Sequence, residues 1–335
     1  MTADPRTPTA LPFATPLAAS PSRIAIGRAF GTFGELLQGR LPASDTDFLV
    51  TLPIDRWSTS TFRYQPEAAG ITVNPAHKSK ARLLATTMLA ALGASGGGIL
   101  EITTDLPEGK GFASSSADLV ATARAVGRAL RAEPDPARIE DLLREVEPTD
   151  GVMYDGSVAF RHREVRLHER IGHLPPMTVV GVDEGGEVDT VEYNRVPKRF
   201  TVAQQRAYAR LLELARDAAA RCDPAGLGRV ATGSALMNQR LRPKRCLQQM
   251  IAACQEIGGL GVVAAHSGTV LGILLSDDDP RYIDRLAAAR RACAALPGVS
   301  TVRVDHCLSD PLLTDPSQVH RSWPIFEAMP CSSTP

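Results

Sequence analysis

The residues best equipped for chemistry crowd into one short stretch, Pro107-Glu108-Gly109-Lys110-Gly111-Phe112-Ala113-Ser114-Ser115-Ser116. An apolar, strand-like run from Ile99 to Leu106 enters it, and a small-residue amphipathic helix from about Ser115 to Leu130 leaves it. Gly109 and Gly111 allow positive φ and a close approach of the backbone to a ligand. The serines stand where the first N–H groups of a helix lack intrahelical partners, and Lys110 adds a cation beside the positive end of the helix dipole. Together they describe an anion site, most simply for phosphate. The same residues also suit an ordinary loop and N-cap. The lysine precedes the last glycine, which is not the P-loop order.

Other candidates are scattered. Pro136 to Val146 is predicted as a helix, with Ile139, Leu142, Leu143 and Val146 on one face and Glu140, Arg144 and Glu147 on another. Pro148 stops it, just before Thr149-Asp150-Gly151. Each of these carboxylates also suits a solvated helix end. Gly34-Glu35-Leu36-Leu37-Gln38-Gly39 follows a predicted strand, Arg23 to Phe33, and reads as a polar turn. Two apolar strands around Val262 and Leu271 meet at Ser267-Gly268 as a hairpin, and His266 beside that turn suits a buried, hydrogen-bonded histidine.

Taken in order, these segments resemble the three motifs of the GHMP small-molecule kinases, the galacto-, homoserine, mevalonate and phosphomevalonate kinases. The loop resembles Pro-x-x-x-Gly-Leu-Gly-Ser-Ser-Ala-Ala, with Phe112 for Leu, Ala113 for the second Gly and Ser116 for the first Ala. Gly-Glu-Leu-Leu-Gln-Gly, Gly-Lys-Gly-Phe-Ala-Ser-Ser-Ser-Ala-Asp and Ala-His-Ser-Gly-Thr look most like the L-threonine kinases of the cobalamin (propanediol-utilisation) branch. The resemblance implies an α+β, two-domain GHMP kinase fold. Its N-terminal domain would hold a left-handed β-α-β unit, and its C-terminal domain would be ferredoxin-like. It also implies transfer of a phosphoryl group from ATP, with Mg²⁺, to the side-chain hydroxyl of a small amino acid, L-threonine first. Serine, homoserine or an amino alcohol is the alternative acceptor, and a catalytically silent nucleotide- or amino-acid-binding regulator is the alternative class.

The roles it implies are specific. Pro107, Gly109, Lys110, Gly111, Ser114, Ser115 and Ser116 would hold the phosphates, with Lys110 also catalytic. Ser115 and a helix glutamate, Glu140 or Glu147, would ligate Mg²⁺. Asp150 would face the acceptor hydroxyl, with Asp155 as the rival base. Glu35 would meet an acceptor ammonium and Gln38 its carboxylate, beside Ser267 and Gly268. A helix predicted over His77 to Leu92 would lie along the nucleotide, so that Lys78 or Lys80 approaches it; a solvated surface is the plain reading of both lysines.

Composition agrees with a small-molecule enzyme more than with other classes. Of 335 residues, 37 are Lys or Arg and 37 Asp or Glu, and this balance speaks against a nucleic-acid or anionic-membrane partner. The longest apolar run is broken by His266, Ser267 and glycines, so no membrane span is expected. Six cysteines without a CxxC pair fit reduced thiols in the cytoplasm. The expected division is a disordered tail 1–22, an N-terminal ATP-binding domain 23–174, a C-terminal domain 175–310 and a loose tail 311–335. Three helices are expected between Thr201 and Ile257. A glycine-rich segment, Gly185 to Arg195, is expected to form a loop over the substrate, and the resemblance leaves room for a homodimer.

Overall fold

Two long antiparallel strands, β1 (Arg23–Arg40) and β2 (Asp47–Gln65), form the middle of the sheet on which the site is built. The computed structural model describes residues 23–186, 199–299 and 301–309, so the two tails and all but the first two residues of the glycine-rich segment, with the loop expected there, lie outside the described residues. Beyond β2 lie β4 (Gly97–Thr104) and β3 (Ile71–Asn74), which pair in parallel. Parallel neighbours need a crossover, and α1 (Ser79–Ala91) provides it. A hairpin of β5 (Ser157–Arg161) and β6 (Arg166–Gly172) hangs from β2.

On the other side of β1 stand β8 (Gly261–Ala264), β9 (Val270–Ser276), β7 (Met177–Asp183) and β10 (Thr301–His306), in that order. Between β7 and β8 run α4 (Val202–Ala220), α5 (Pro224–Asn238) and α6 (Leu247–Ile257), and α7 (Tyr282–Ala294) links β9 to β10. Numbered within this half, the antiparallel strands lie in the order 4-1-3-2, the ferredoxin-like arrangement. The α+β class and the ferredoxin-like half therefore agree with the sequence reading.

α2 (Ser114–Ala129) packs on β1 and β2. Its inner positions are small, so the helix backbone lies close to the sheet and is buried along most of its length. α3 (Pro136–Arg144) starts at a proline, with Asp135 Oδ1 accepting from the Arg138 N–H at 2.8 Å.

Two expectations change. Gly34 to Gly39 is not a turn but the second half of β1, whose pairing with β2 shifts register around Gly31, Glu35 and Leu37. Sheet pairing overrides the turn-like composition, and the bulges re-aim Glu35. Likewise the two strands expected over Asp47–Asp55 and Trp57–Arg63 form one strand, β2. The expected boundary near 174 falls between β6 and β7, yet Glu35 of β1 pairs with Ala264 of β8, and one sheet runs through both halves. The main core cluster likewise joins Phe33 and Phe112 to Tyr208 and Leu227 of the C-terminal half.

Candidate active site

The loop between β4 and α2 is shaped by backbone geometry. Gly109 has φ 69°, Gly111 φ 99°, and Ala113 at the N-cap φ 54°. The N-cap residue is an alanine and makes no side-chain cap, so the first N–H groups of α2 point out of the helix unsatisfied by it. Neighbours hold the loop by its carbonyls: Gly34 N–H donates to Gly111 O at 2.8 Å, Thr32 N–H to Phe112 O at 3.1 Å and Thr269 N–H to Lys110 O at 3.0 Å. The Ser267-Gly268 turn lies directly on it. A Cβ on Gly268 would sit 2.1 Å from Lys110 O, and one on Gly111 would sit 2.4 Å from Ala265 Cβ. Only glycine at both positions lets the two segments touch, and so three remote stretches meet at one helix N-terminus.

A cleft opens there. On its α2 side Ser115 Oγ donates to Glu147 Oε1, and Lys80 Nζ pairs with the other oxygen of the same carboxylate. A hydroxyl and a carboxylate beside an uncapped helix start make a hard-oxygen donor set that suits Mg²⁺ carrying phosphate oxygens. Next to it is a second cavity, lined by Lys78, Lys80, Glu108, Ser114 and Asp118. There Lys78 Nζ lies 2.5 Å from Glu108 Oε1 and 2.6 Å from Asp118 Oδ2. Burial works against the Lys78 charge, but the hydrogen bonds and charges of Asp118 and Glu108 outweigh it and hold the ammonium above its ordinary range.

Asp150 lies at the middle of the cleft. Its N–H donates to Ser116 Oγ at 3.1 Å, and that hydroxyl is 3.2 Å from Thr149 Oγ1. Burial pushes the Asp150 carboxyl up to about 7, with repulsion from Glu35 and Glu147 adding to it and Ser116 pulling the other way. A carboxyl so poised can take a proton near neutral pH.

The β1 side is a buried polar string. His266 N–H and Nδ1 both bond Glu35 Oε2, at 2.8 and 2.9 Å. Nε2 lies 2.8 Å from Ser234 Oγ, which accepts from Gln38 N–H at 3.1 Å. With Glu35 ionised, Nδ1 carries the ring proton and Nε2 accepts from the serine, so every donor in the string has an acceptor. Burial alone would raise the Glu35 carboxyl; the hydrogen bonds from the His266 ring and backbone N–H outweigh it and hold the group below its ordinary value.

The sequence profile of the GHMP kinases N terminal domain matches residues 79–157, the span from α1 through α2 to the Asp150 loop. An L-threonine kinase of Salmonella typhimurium (strain LT2) is 28% identical over 254 residues, 75% of this chain and 83% of that one. One of Citrobacter freundii is 30% identical over 177 residues, 52% of this chain and 62% of that one. The chain carries a GHMP kinase N-terminal domain. Its fold agrees: a homoserine kinase from Cytophaga hutchinsonii ATCC 33406 superposes with TM-score 0.66 at 17% identity, covering 89% of this chain and 99% of that one. The Methanococcus jannaschii mevalonate kinase gives 0.64 at 15% identity, over 88% of this chain and 100% of that one.

In this chain Gly109, Gly111, Ser114, Ser115, Ser116, Glu147, Asp150, Glu35 and Ser267 all line the cleft. Gly268 supports it from behind through its contact with Lys110 O. Pro107 begins the loop without lining the cleft. Four expectations need correction. Glu140 is buried away from the cleft, where one carboxylate oxygen accepts from Tyr154 Oη at 2.7 Å and Leu167 N–H at 2.6 Å, so it fixes α3 to the β5–β6 hairpin. Lys110 turns away as well: its ammonium sits 3.0 Å from Asp183 Oδ2 and donates to Gly186 O at 2.6 Å, drawn to the C-terminal half by opposite charge. Asp155 is exposed and lies 3.8 Å from His173. Lys78 is not a solvated lysine; its side chain is 11% exposed and ion-paired.

Sequence reasoning missed three groups. Asp118 anchors Lys78 and accepts from Ser58 Oγ. Lys244 is buried, donates to Gly268 O beside Arg242, and has its ammonium pushed down to about 8 by burial and by the Arg242 charge. His162 lines the cleft from the turn after β5. The Asp118 signal was present in the Ser-Ser-Ser-Ala-Asp run, but nothing local in the sequence points to His162 or Lys244.

Proposed function

We propose that this GHMP kinase transfers the γ-phosphoryl group of ATP to the side-chain hydroxyl of L-threonine, giving ADP, O-phospho-L-threonine and a proton. The observation that carries the reading is Asp150, a carboxyl poised near neutrality in one cleft with the Ser115–Glu147 pair on one side and Glu35 on the other. The similarity to L-threonine kinases supports the choice of acceptor.

ATP supplies the phosphoryl group, and Mg²⁺ bound with it would neutralise the charge that develops during transfer. The chain does the rest. The uncapped N–H groups of α2 and the loop amides receive phosphate oxygens. Ser115 and Glu147 would hold the metal, with Lys80 keeping the Glu147 carboxylate in place. Glu35, kept ionised by His266, receives the acceptor ammonium. That fixes the acceptor so that its hydroxyl faces Asp150, which takes the hydroxyl proton.

The test is a panel of acceptors with labelled ATP and Mg²⁺, scored by phosphorylated product. Threonine should lead in kcat/KM. Serine should follow, because one methyl contact is worth only ~1–3 kcal/mol. Homoserine should trail, because its hydroxyl lies one carbon further from the ammonium. Turnover of homoserine, mevalonate or a sugar with none of threonine would refute the acceptor and leave the superfamily assignment intact.

A further inference from the structure

The cleft has an unbalanced lining. Glu35, Glu147 and Asp150 bring three carboxyl groups to it, and among the described residues that line it His162 alone can carry positive charge. An amino acid presents two opposite charges to such a cleft. Its ammonium is welcome beside Glu35, whereas its carboxylate enters a cleft already rich in negative charge and needs a donor to balance it.

His162 is built into this position. It is 3% exposed, and its carbonyl accepts from Thr149 N–H at 3.1 Å, which ties it to the loop that carries Asp150. Gln38 Nε2 lies 3.5 Å from His162 Nε2, and Gln38 Oε1 is buried with no hydrogen-bond partner among the described residues. Half a turn of the Gln38 amide would set that oxygen against an Nε2–H of a protonated ring, so the orphan acceptor sits where the imidazolium proton would need one. His162 also contributes charge that stabilises ionised Glu35. The groups an amino-acid zwitterion requires are thus present at one end of the cleft, an anion in Glu35 and a cationic donor in His162.

We propose that His162, backed by Gln38, seats the carboxylate of the acceptor and so makes the enzyme select hydroxylated amino acids over the amino alcohols that lack that group. The proposal rests on the reading of the cleft as an amino-acid site. It adds a residue that touches substrate and gives it a defined role in specificity, separate from the proton transfer at Asp150.

The experiment compares kcat/KM for L-threonine and for 1-amino-2-propanol, which is threonine without its carboxylate, in the wild-type enzyme, in His162→Ala and in Gln38→Glu. Loss of one charge-assisted contact should lower kcat/KM for threonine by about 10- to 100-fold in His162→Ala, mainly through KM. The value for 1-amino-2-propanol should stay within about threefold, so the preference for threonine collapses. Gln38→Glu sets a negative charge against the same seat and should produce the same collapse, which keeps the test available if His162→Ala does not fold. Wild-type turnover of threonine with a preference unchanged in both variants, or equal losses on both acceptors, would overturn the carboxylate seat alone. A wild-type enzyme that phosphorylates no amino acid would overturn the reading of the cleft and this seat with it.

Discussion

At the α2 end of the cleft, the working groups come from one loop, the helix that follows it, and Glu147 32 residues beyond Ser115. At the β1 end, Glu35 and His266 bond across 231 residues of chain, and Ser234 and His162 join from two further elements. The chemistry differs as much as the topology. The α2 end is lined by ion pairs in reach of water, Lys80 with Glu147 and Lys78 with Glu108, which an incoming polyanion with its metal can rearrange cheaply. The β1 end is a buried hydrogen-bonded string in which each member fixes the next, so its geometry is set before any ligand arrives. One end is adjustable and serves a ligand common to many kinases; the other is preorganised and serves discrimination. Asp150 lies where they meet and feels both, through Glu147 and through Glu35.

The largest expected effect is at that junction. Asp150→Asn keeps the size of the side chain and removes its basicity, so kcat should fall by roughly 10²- to 10⁴-fold while nucleotide still binds. The folded-state carboxyl titrates above its ordinary value, so above pH 7 its ionised form costs the native state stability, and the neutral amide should leave Tm unchanged or raised at pH 8. Asp155→Asn, at an exposed site, should leave turnover near wild type. An inactive Asp155 variant beside an active Asp150 variant would reverse the assignment and move the junction.

Next comes the α2 end. Ser115→Ala should lower kcat by roughly 10²-fold with the fold intact, the scale of removing one charge-stabilising group. Glu140→Ala should do the opposite: it strands the Tyr154 hydroxyl and the Leu167 N–H, at about 1–3 kcal/mol for each unsatisfied donor, and should lower Tm with little change in the kcat of the folded fraction. Near-normal turnover in Ser115→Ala would reduce that serine to a helix-start residue. Of the loop residues, Lys110 should show the smaller effect. With its ammonium held by Asp183 and Gly186, Lys110→Met should cost less than about tenfold in kcat, below the loss at a group that meets developing charge. A loss as large as that of Ser115→Ala would show that the lysine swings into the cleft during turnover.

The same contrast explains what was legible in the sequence. The α2 end could be read because its signals are local: two glycines, a serine run at a helix start and a helical period after it. The helices and most strands were legible for the same reason, each carrying its own periodicity. Lys110 was misassigned because a residue's position in a loop does not tell which way a backbone with two positive φ angles aims it. Glu140 was admitted as a ligand through the family resemblance, by its separation from Asp150, and only the packed hairpin shows that its partners are Tyr154 and Leu167. Glu35 and Gln38 stood out as polar residues after a strand, but their being inside β1 depended on pairing with β2 and β8. His162 left no local trace, since its place is set by where a hairpin folds back over the Asp150 loop.

The measurement that bears most directly on the meeting of the two ends is the titration of Asp150 itself. Carbon-13 NMR of labelled aspartate carboxyl groups, with the Asp150 signal assigned by its loss in Asp150→Asn, should be followed from pH 4 to 9 in the wild type, Glu35→Gln and Glu147→Gln. The wild-type carboxyl should titrate at about 7, and removing either neighbouring charge should lower that value. The acidic limb of kcat/KM should move with it, because below its pKa the protonated acid cannot accept the hydroxyl proton. A wild-type value at about 4, the ordinary carboxylate range, unmoved by either substitution, would contradict the placement of Asp150 as the base between the two ends.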